Sequence, residues 1–455
     1  MVRRLSPLKR GWPAFALMSV AAAAVLWHVL ACTESPMAFS PDGKKLAFAA
    51  VDPWPQEAKD LPPLVSGKQT SRILILEEDK GLKKYKTVEA STTALLAAPS
   101  FSKDGQLLAY LRVPLMTQEQ EDKFIDYQKA RIDQAKPRET ATQESPPDLT
   151  AMLNLKPAPV TEDLAADAAK AGREYAGLTS TPGYPMTLVI RDLKADRVVS
   201  ETPFATPLFQ YGDDDKRLGT GIVMAYSLMR TQFAPDGKSV CVSALYQGLI
   251  VDPEKPCVKV IAGPAAGARW SPDGKSVAGA YNDRLAIWQM DGRMVSAPVA
   301  EPDAWGVGWL SNEKAAVLSA ESKKDQDKTE FVLAVMDLNG KVTRQKLDIT
   351  LDKDKTDVME MAFAPDGKHT VICGPKNLLI LDSSGKVTGK VDTNYNYYSP
   401  TATPDSKGFA FKYRGDKDSY ATAIVTLDTA GKEVSRTPIP KAPALPAGSE
   451  PATKE

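Results

Sequence analysis

The chain alternates short apolar runs with one repeated polar punctuation. Its first copy is Phe39-Ser40-Pro41-Asp42-Gly43-Lys44, followed by the alternating Lys45-Leu46-Ala47-Phe48. An apolar run entering and an alternating run leaving is the pattern of two strands joined by a tight turn. Proline presets the first turn position. Aspartate suits the second and can hydrogen-bond its own backbone, and glycine takes the left-handed position without a Cβ penalty. The pattern predicts a three-residue hairpin loop with a bulge at glycine.

The same writing recurs at Ser102-Lys103-Asp104-Gly105, Ala234-Pro235-Asp236-Gly237, Ser271-Pro272-Asp273-Gly274 and Ala364-Pro365-Asp366-Gly367. It is degenerate at Ser311-Asn312-Glu313-Lys314 and at Thr403-Pro404-Asp405-Ser406. An aromatic or large residue precedes most copies: Phe39, Phe101, Phe233, Trp270, Trp309 and Phe363. After each turn comes an apolar strand, then a second one ending near an acid, as at Asp192, Asp252, Asp337, Asp382 and Asp428, then a weaker third. Four strands per unit with turns between neighbours is one propeller blade, and seven copies predict an all-β, seven-bladed β-propeller over residues 37–440.

These units resemble the WD-repeat-like blades of TolB-type propellers, and the propellers that stand beside prolyl-oligopeptidase hydrolase domains. The resemblance rests on F-S-P-D-G-K followed by L-A-F and an apolar strand ending in aspartate. It implies a binding platform. It departs at the fifth turn, which lacks Asp-Gly, and no hydrolase domain or extra α/β domain is expected here, so the partners of that family are not carried over.

Uniform turns and uneven loops divide the propeller into two rims. The Asp-Gly turns join strands a and b on one rim. The long segments, residues 51–70, 113–185, 204–229 and 321–330, all fall on the other, where loops on a rigid scaffold carry recognition. The second blade's insertion, about 113–185, is expected to be helical at 117–135 and 162–178 with a proline-rich link between. Trp54, Trp305, Tyr395, Tyr397 and Tyr398 are the candidate binding residues, placed at the elaborated rim and the channel mouth because amphipathic rings suit peptide or sugar recognition. The competing reading is ordinary packing between blades.

The N-terminus changes the setting. Arg3, Arg4, Lys9 and Arg10 precede an almost wholly apolar segment from Gly11 to Ala31, then Cys32. That order is an export signal or membrane anchor. Val29-Leu30-Ala31-Cys32 resembles a lipobox with Cys32 as the lipidation site. An uncleaved anchor and a plain secretory signal remain as alternatives. Residues 32–36 form a short tether, and the Pro/Ala-rich 441–455 a disordered tail. All three readings place the body in the bacterial cell envelope, facing the periplasm or the surface.

Composition narrows the partners. Lysine and arginine total 57, as do aspartate and glutamate; without the first 31 residues the body carries 53 bases and 57 acids. A weakly acidic body argues against nucleic acid. Only His28 and His369 are present, and no serine-hydrolase elbow, phosphate-binding loop or zinc-protease motif occurs. That lowers the expectation of an enzyme, a catalytic residue, a metal site or a cofactor. Cys32, Cys241, Cys257 and Cys373 lack zinc spacing; Cys241 and Cys373 read as buried thiols, with a Cys241–Cys257 bond the alternative. The expectation is a monomeric, membrane-attached module that binds a protein, peptide or envelope polymer. The alternative is a propeller enzyme of lyase or hydrolase type, with carboxylates at the channel mouth.

Overall fold

In the computed structural model the first two strands of each blade meet at the turns just described. The structure describes residues 35–52, 70–79, 82–115, 117, 119, 160–163, 183–207, 229–244, 247–252, 257–262, 266–281, 284–291, 293–299, 302–322, 328–352, 360–374, 377–384, 386–393, 396–415 and 421–441. Among the described residues they form seven sheets, each with four antiparallel strands paired in chain order, one of which carries a fifth, parallel strand at its edge.

Blade 1 holds Ala38–Phe39, Lys45–Asp52, Thr70–Asp79 and Leu82–Ser91, as strands a to d. Blade 2 holds Ala94–Phe101, Leu107–Pro114, Gly183–Asp192 and Arg197–Pro207. Blade 3 holds Arg230–Phe233, Val240–Ala244, Gln247–Asp252 and Cys257–Ala262. Blade 4 holds Ala266–Trp270, Ser276–Tyr281, Arg284–Gln289 and Met294–Pro298. Blade 5 holds Pro302–Ser311, Lys314–Ser322, Lys328–Asp337 and Val342–Asp352. Blade 6 holds Glu360–Phe363, His369–Cys373, Asn377–Asp382 and Val387–Asp392. Blade 7 holds Tyr397–Ala402, Gly408–Tyr413, Ala423–Asp428 and Glu433–Pro438. The fold is a seven-bladed β-propeller.

The hairpin is a double lock. Gly43 N donates to Ser40 O at 2.9 Å, and Ser40 N to Lys45 O at 2.8 Å. The Ser40 hydroxyl donates to Asp42 Oδ1 at 2.6 Å and accepts from Lys45 N at 2.9 Å, while Lys44 N donates to Asp42 at 3.1 Å. The same set recurs around Ser102 and Asp104, and around Thr403 and Asp405. Five turn glycines hold φ between +67° and +74°, and Ser406 holds +59° in the last turn. The acids that end strand c lock the next turn in the same way: Asp428 accepts from Ala430 N and Lys432 N, both at 2.9 Å.

The core lies between blades. One apolar cluster joins blades 1, 2 and 3; others join neighbours around the ring. The ring closes the same way, by packing between blade 7 and blade 1 without a shared strand. Phe48, Leu74, Ala410 and Ile424 are buried there, and Phe48 meets Tyr85 edge-on at 6.1 Å. Full burial of a phenylalanine of this kind stabilises by about 1.5–3 kcal/mol. Polar fasteners complete the seam. The fully buried Lys412 donates from Nζ to Ala49 O at 2.8 Å, and Arg72 donates to Pro440 O at 2.8 Å.

The insertion departs from expectation where it is described. Val160–Asp163 is a strand, parallel to Cys257–Ala262 on the outer edge of blade 3. A helix was expected from residue 162. The outer strand of blade 3 offers unpaired backbone groups, and the β-branched Val160 and Thr161 suit an added strand. The two expected helices otherwise lie outside the described residues. Cys241 and Cys373 are free and buried, as expected for small apolar thiols. Cys241 pairs with Ile250, and Ile250 with Lys259, so a whole strand separates Cys241 from the strand of Cys257.

Candidate functional site

The innermost strands of all seven blades surround a cavity of about 600 Å³. It reaches the first turn residues of six blades, among them Pro41, Lys103, Pro235 and Pro404, so it lies at the turn-bearing end of the channel. The six residues that precede the turns, Phe39, Phe101, Phe233, Trp270, Trp309 and Phe363, all line it. A large side chain repeated in six of the seven blades thus contributes to one shared wall, while blade 7 has Ala402 before its turn.

Deeper in the lining stand three charges. Arg230 and Glu360 are buried, at 8% and 4% exposure, and each lies four residues before the first residue of its turn. Arg269 joins them from blade 4. Burial pushes the Arg230 guanidinium down to about 9; Arg269 presses in the same direction and Glu360 opposes. Burial likewise lowers Arg269, while the Cys241 thiol, itself pushed up to about 12 by burial, opposes that shift. The buried Arg230 thus feels a like charge from Arg269 and an opposite one from Glu360.

The backbone is unusual at that depth. Counting four residues before the turn in blades 2, 4 and 7 gives Ala98, Gly267 and Ser399, all left-handed, at φ +52°, +72° and +49°. Each marks a bulge in strand a. A bulge frees an N–H from the ladder, and the preceding blade receives each one. Ala98 N donates to Ser35 Oγ at 2.6 Å, Gly267 N to Ser243 Oγ at 3.0 Å, and Ser399 N to Glu360 Oε2. Glu360 is thus both the counter-charge of Arg230 and the fastener between blades 6 and 7. Thr231 ties blade 3 to blade 2 by donating to Ala98 O at 2.5 Å and accepting from Ser100 Oγ at 2.8 Å.

The two tryptophans differ. Trp309 Nε1 donates to Arg269 O at 2.9 Å. Trp270 is 4% exposed, and its Nε1 is buried with no hydrogen-bond partner among the described residues.

The residues singled out from sequence fall elsewhere. Trp54, Tyr395 and Cys32 lie outside the described residues. Trp305 belongs to strand a of blade 5, Pro302–Ser311. Tyr397 packs edge-on against Phe411 and Tyr413, with centroids 5.6 and 5.3 Å away, and burial raises its hydroxyl pKa. Tyr398 is buried beneath the Arg414 guanidinium, 5.1 Å from its ring centre. Sequence reasoning passed over Arg230, Arg269 and Glu360. The available signal was a charge just upstream of the aromatic, where other blades place small or apolar residues. Among the described residues no group of histidine, cysteine, aspartate or glutamate could hold a metal ion.

No family model matches the chain, and no curated protein matches it. Solved structures do. One, dihydro-heme d1 dehydrogenase NirN in complex with DHE, is similar over 90% of this chain at 13% identity with a TM-score of 0.44. The likeness spans 66% of that longer chain, just under two thirds.

Proposed function

We propose that the protein is an exported, membrane-attached binding module that recognises a protein, peptide or envelope polymer, with the central cavity as the place where the ligand is received. One observation carries this reading: a cavity of about 600 Å³, walled by all seven inner strands and lined by aromatic residues from six of them. Binding sites are concave and combine apolar walls with a few placed polar groups, and this cavity presents both apolar and polar side chains. The elaborated rim, with Trp54, Trp305 and Tyr395, would add contacts from the far mouth of the channel. Export and attachment rest on the basic and apolar N-terminal segment before Cys32.

The enzyme alternative needs converging acids. Glu360 is the one carboxylate among the described residues lining the cavity, and it already accepts the Ser399 N–H. The binding reading is tested by a thermal-shift screen of a peptide and small-ligand library on the full-length protein, beside a Thr401→Trp variant. Thr401 lines the cavity and is only half-buried, so tryptophan there occupies it. A ligand bound in the cavity raises the melting temperature of the wild type and not of the variant. Ligands that stabilise both equally remove the cavity from the reading. Mass spectrometry of the mature N-terminus decides acylation of Cys32.

A further inference from the structure

We propose that the cavity takes a monoanionic carboxylate carried on an apolar or aromatic body, with the carboxylate held between Arg230 and Arg269 and the body against the aromatic wall. The inference rests on the binding reading above and adds the chemistry of the ligand.

Charge argues for a single negative charge. Arg230, Arg269 and Glu360 together carry one net positive charge in a desolvated lining. Arg230 and Arg269 line the same cavity as a single described carboxylate, and an entering anion is attracted by both guanidiniums. A dianion such as phosphate would reverse the imbalance instead of cancelling it, and would have to be desolvated to do so. A carboxylate also matches the planar fork of arginine.

The walls argue for an apolar body. Phe39, Phe101, Phe233, Trp270, Trp309 and Phe363 all line the cavity. Trp270 packs with Cys241, Ile250 and Ala268 between blades 3 and 4, so it offers the ligand apolar wall. Lys103 stands at the turn-side edge of the cavity, where an exposed cation draws anions toward the mouth.

Two sources share this chemistry: a free organic acid and the C-terminus of a peptide. The test is calorimetric titration of the full-length protein, with tryptophan emission read alongside, using phenylacetate, N-acetylphenylalanine, the neutral phenylacetamide and inorganic phosphate. The expected result is binding of both carboxylates at least tenfold tighter than phenylacetamide or phosphate. Tighter N-acetylphenylalanine supports a peptide terminus, and tighter phenylacetate a free acid. Arg269→Gln is expected to weaken the carboxylates at least tenfold and leave the amide unchanged. Equal binding of acid and amide, unaffected by Arg269→Gln, overturns the carboxylate assignment while leaving the cavity as a binding site. Tighter phosphate, or no carboxylate binding in a wild type that melts cooperatively, also overturns it. A library ligand that stabilises the wild type and not Thr401→Trp would then show that the binding reading survives alone.

Discussion

Two levels of the inner strands, only four residues apart, are built on opposite terms. At the turn, Ser40, Ser102, Ser271 and Thr403 do one job with Asp42, Asp104, Asp273 and Asp405, hydroxyl to carboxylate at 2.6 to 2.7 Å. Four residues upstream, Pro36, Ala98, Arg230, Gly267, Val307, Glu360 and Ser399 are seven different residue types. The turn solves a problem that every blade has, so its solution repeats. Five of the seven upstream residues line the shared cavity, where the blades converge and need not agree. Left-handed φ at Ala98 and Ser399, and buried charge at Arg230 and Glu360, are costs that hairpin closure does not require. The contrast separates what the fold needs from what the cavity adds.

The sharpest break in that contrast is Glu360→Ala. It removes the acceptor of the Ser399 N–H and the counter-charge of Arg230 together. Breaking a buried ion-paired network by deleting one partner costs on the order of 3 kcal/mol. Urea unfolding followed by circular dichroism should show that loss, with Glu360→Gln recovering part of it because the amide oxygen still accepts from Ser399. A loss under about 0.5 kcal/mol would remove Glu360 from the seam between blades 6 and 7.

Next in size is a comparison inside the repeated level. Gly237 and Gly367 hold φ +74° and +67°. A Cβ on Gly237 meets nothing within 4 Å, whereas one on Gly367 would lie 2.8 Å from the Leu310 carbonyl oxygen of blade 5. Alanine in a left-handed position costs about 1–2 kcal/mol at either site. Gly367→Ala should cost more than Gly237→Ala by the contact alone, read as a lower urea midpoint. Equal midpoints would mean that blade 5 yields freely beside its degenerate turn.

The turn carboxylates give a smaller, pH-dependent effect. The Ser40 hydroxyl first, then Lys44 N, hold Asp42 below its ordinary value of 3.8. The Ser102 and Thr403 hydroxyls lead the same effect on Asp104 and Asp405. A depressed folded value means that this stability is present above pH 3.8 and is lost as the pH falls through the folded values beneath it. Each Asp→Asn change should cost about 0.5–1 kcal/mol at neutral pH, trimmed by exposure. The triple variant should lose stability less steeply than the wild type between pH 5 and pH 3. An unchanged slope would assign the acid sensitivity to other groups.

What the sequence made legible follows the same division. Blade number, strand order and turn geometry were written in Asp42, Asp104, Asp236, Asp273, Asp366 and Asp405, because a local hairpin needs its residues close together in the chain. The aromatic before six of the turns was visible too, though its convergence on one wall depends on distant strands meeting. Arg230 and Glu360 are 130 positions apart, and no periodicity links them; only ring closure brings them to one depth. Lys412 read as an ordinary strand lysine, yet it is fully buried and joins the last blade to Ala49 of the first. Val160–Asp163 was hidden because an added strand needs an edge to pair with, and that edge comes from residues about a hundred positions later.

The smallest effect sits where the two levels trade character, at Ser406. Among the described turns between strands a and b, it is the one residue that holds a left-handed φ, +59°, with a side chain in the place of glycine. Its hydroxyl accepts from Asp366 N of the neighbouring turn at 3.1 Å, so the repeated level here carries a link between blades 6 and 7. Ser406→Gly relieves about 1 kcal/mol of backbone strain. Against that, it frees the unfolded chain and removes an exposed hydrogen bond, which together cost about 1 kcal/mol. The terms cancel, and the urea midpoint should barely move. Ser406→Ala keeps the strain and loses the bond, so it should be the worse of the two despite being the smaller change in backbone freedom. If alanine proves as stable as serine while glycine stabilises, the Asp366 link contributes nothing, and the last turn is only a strained copy of the others.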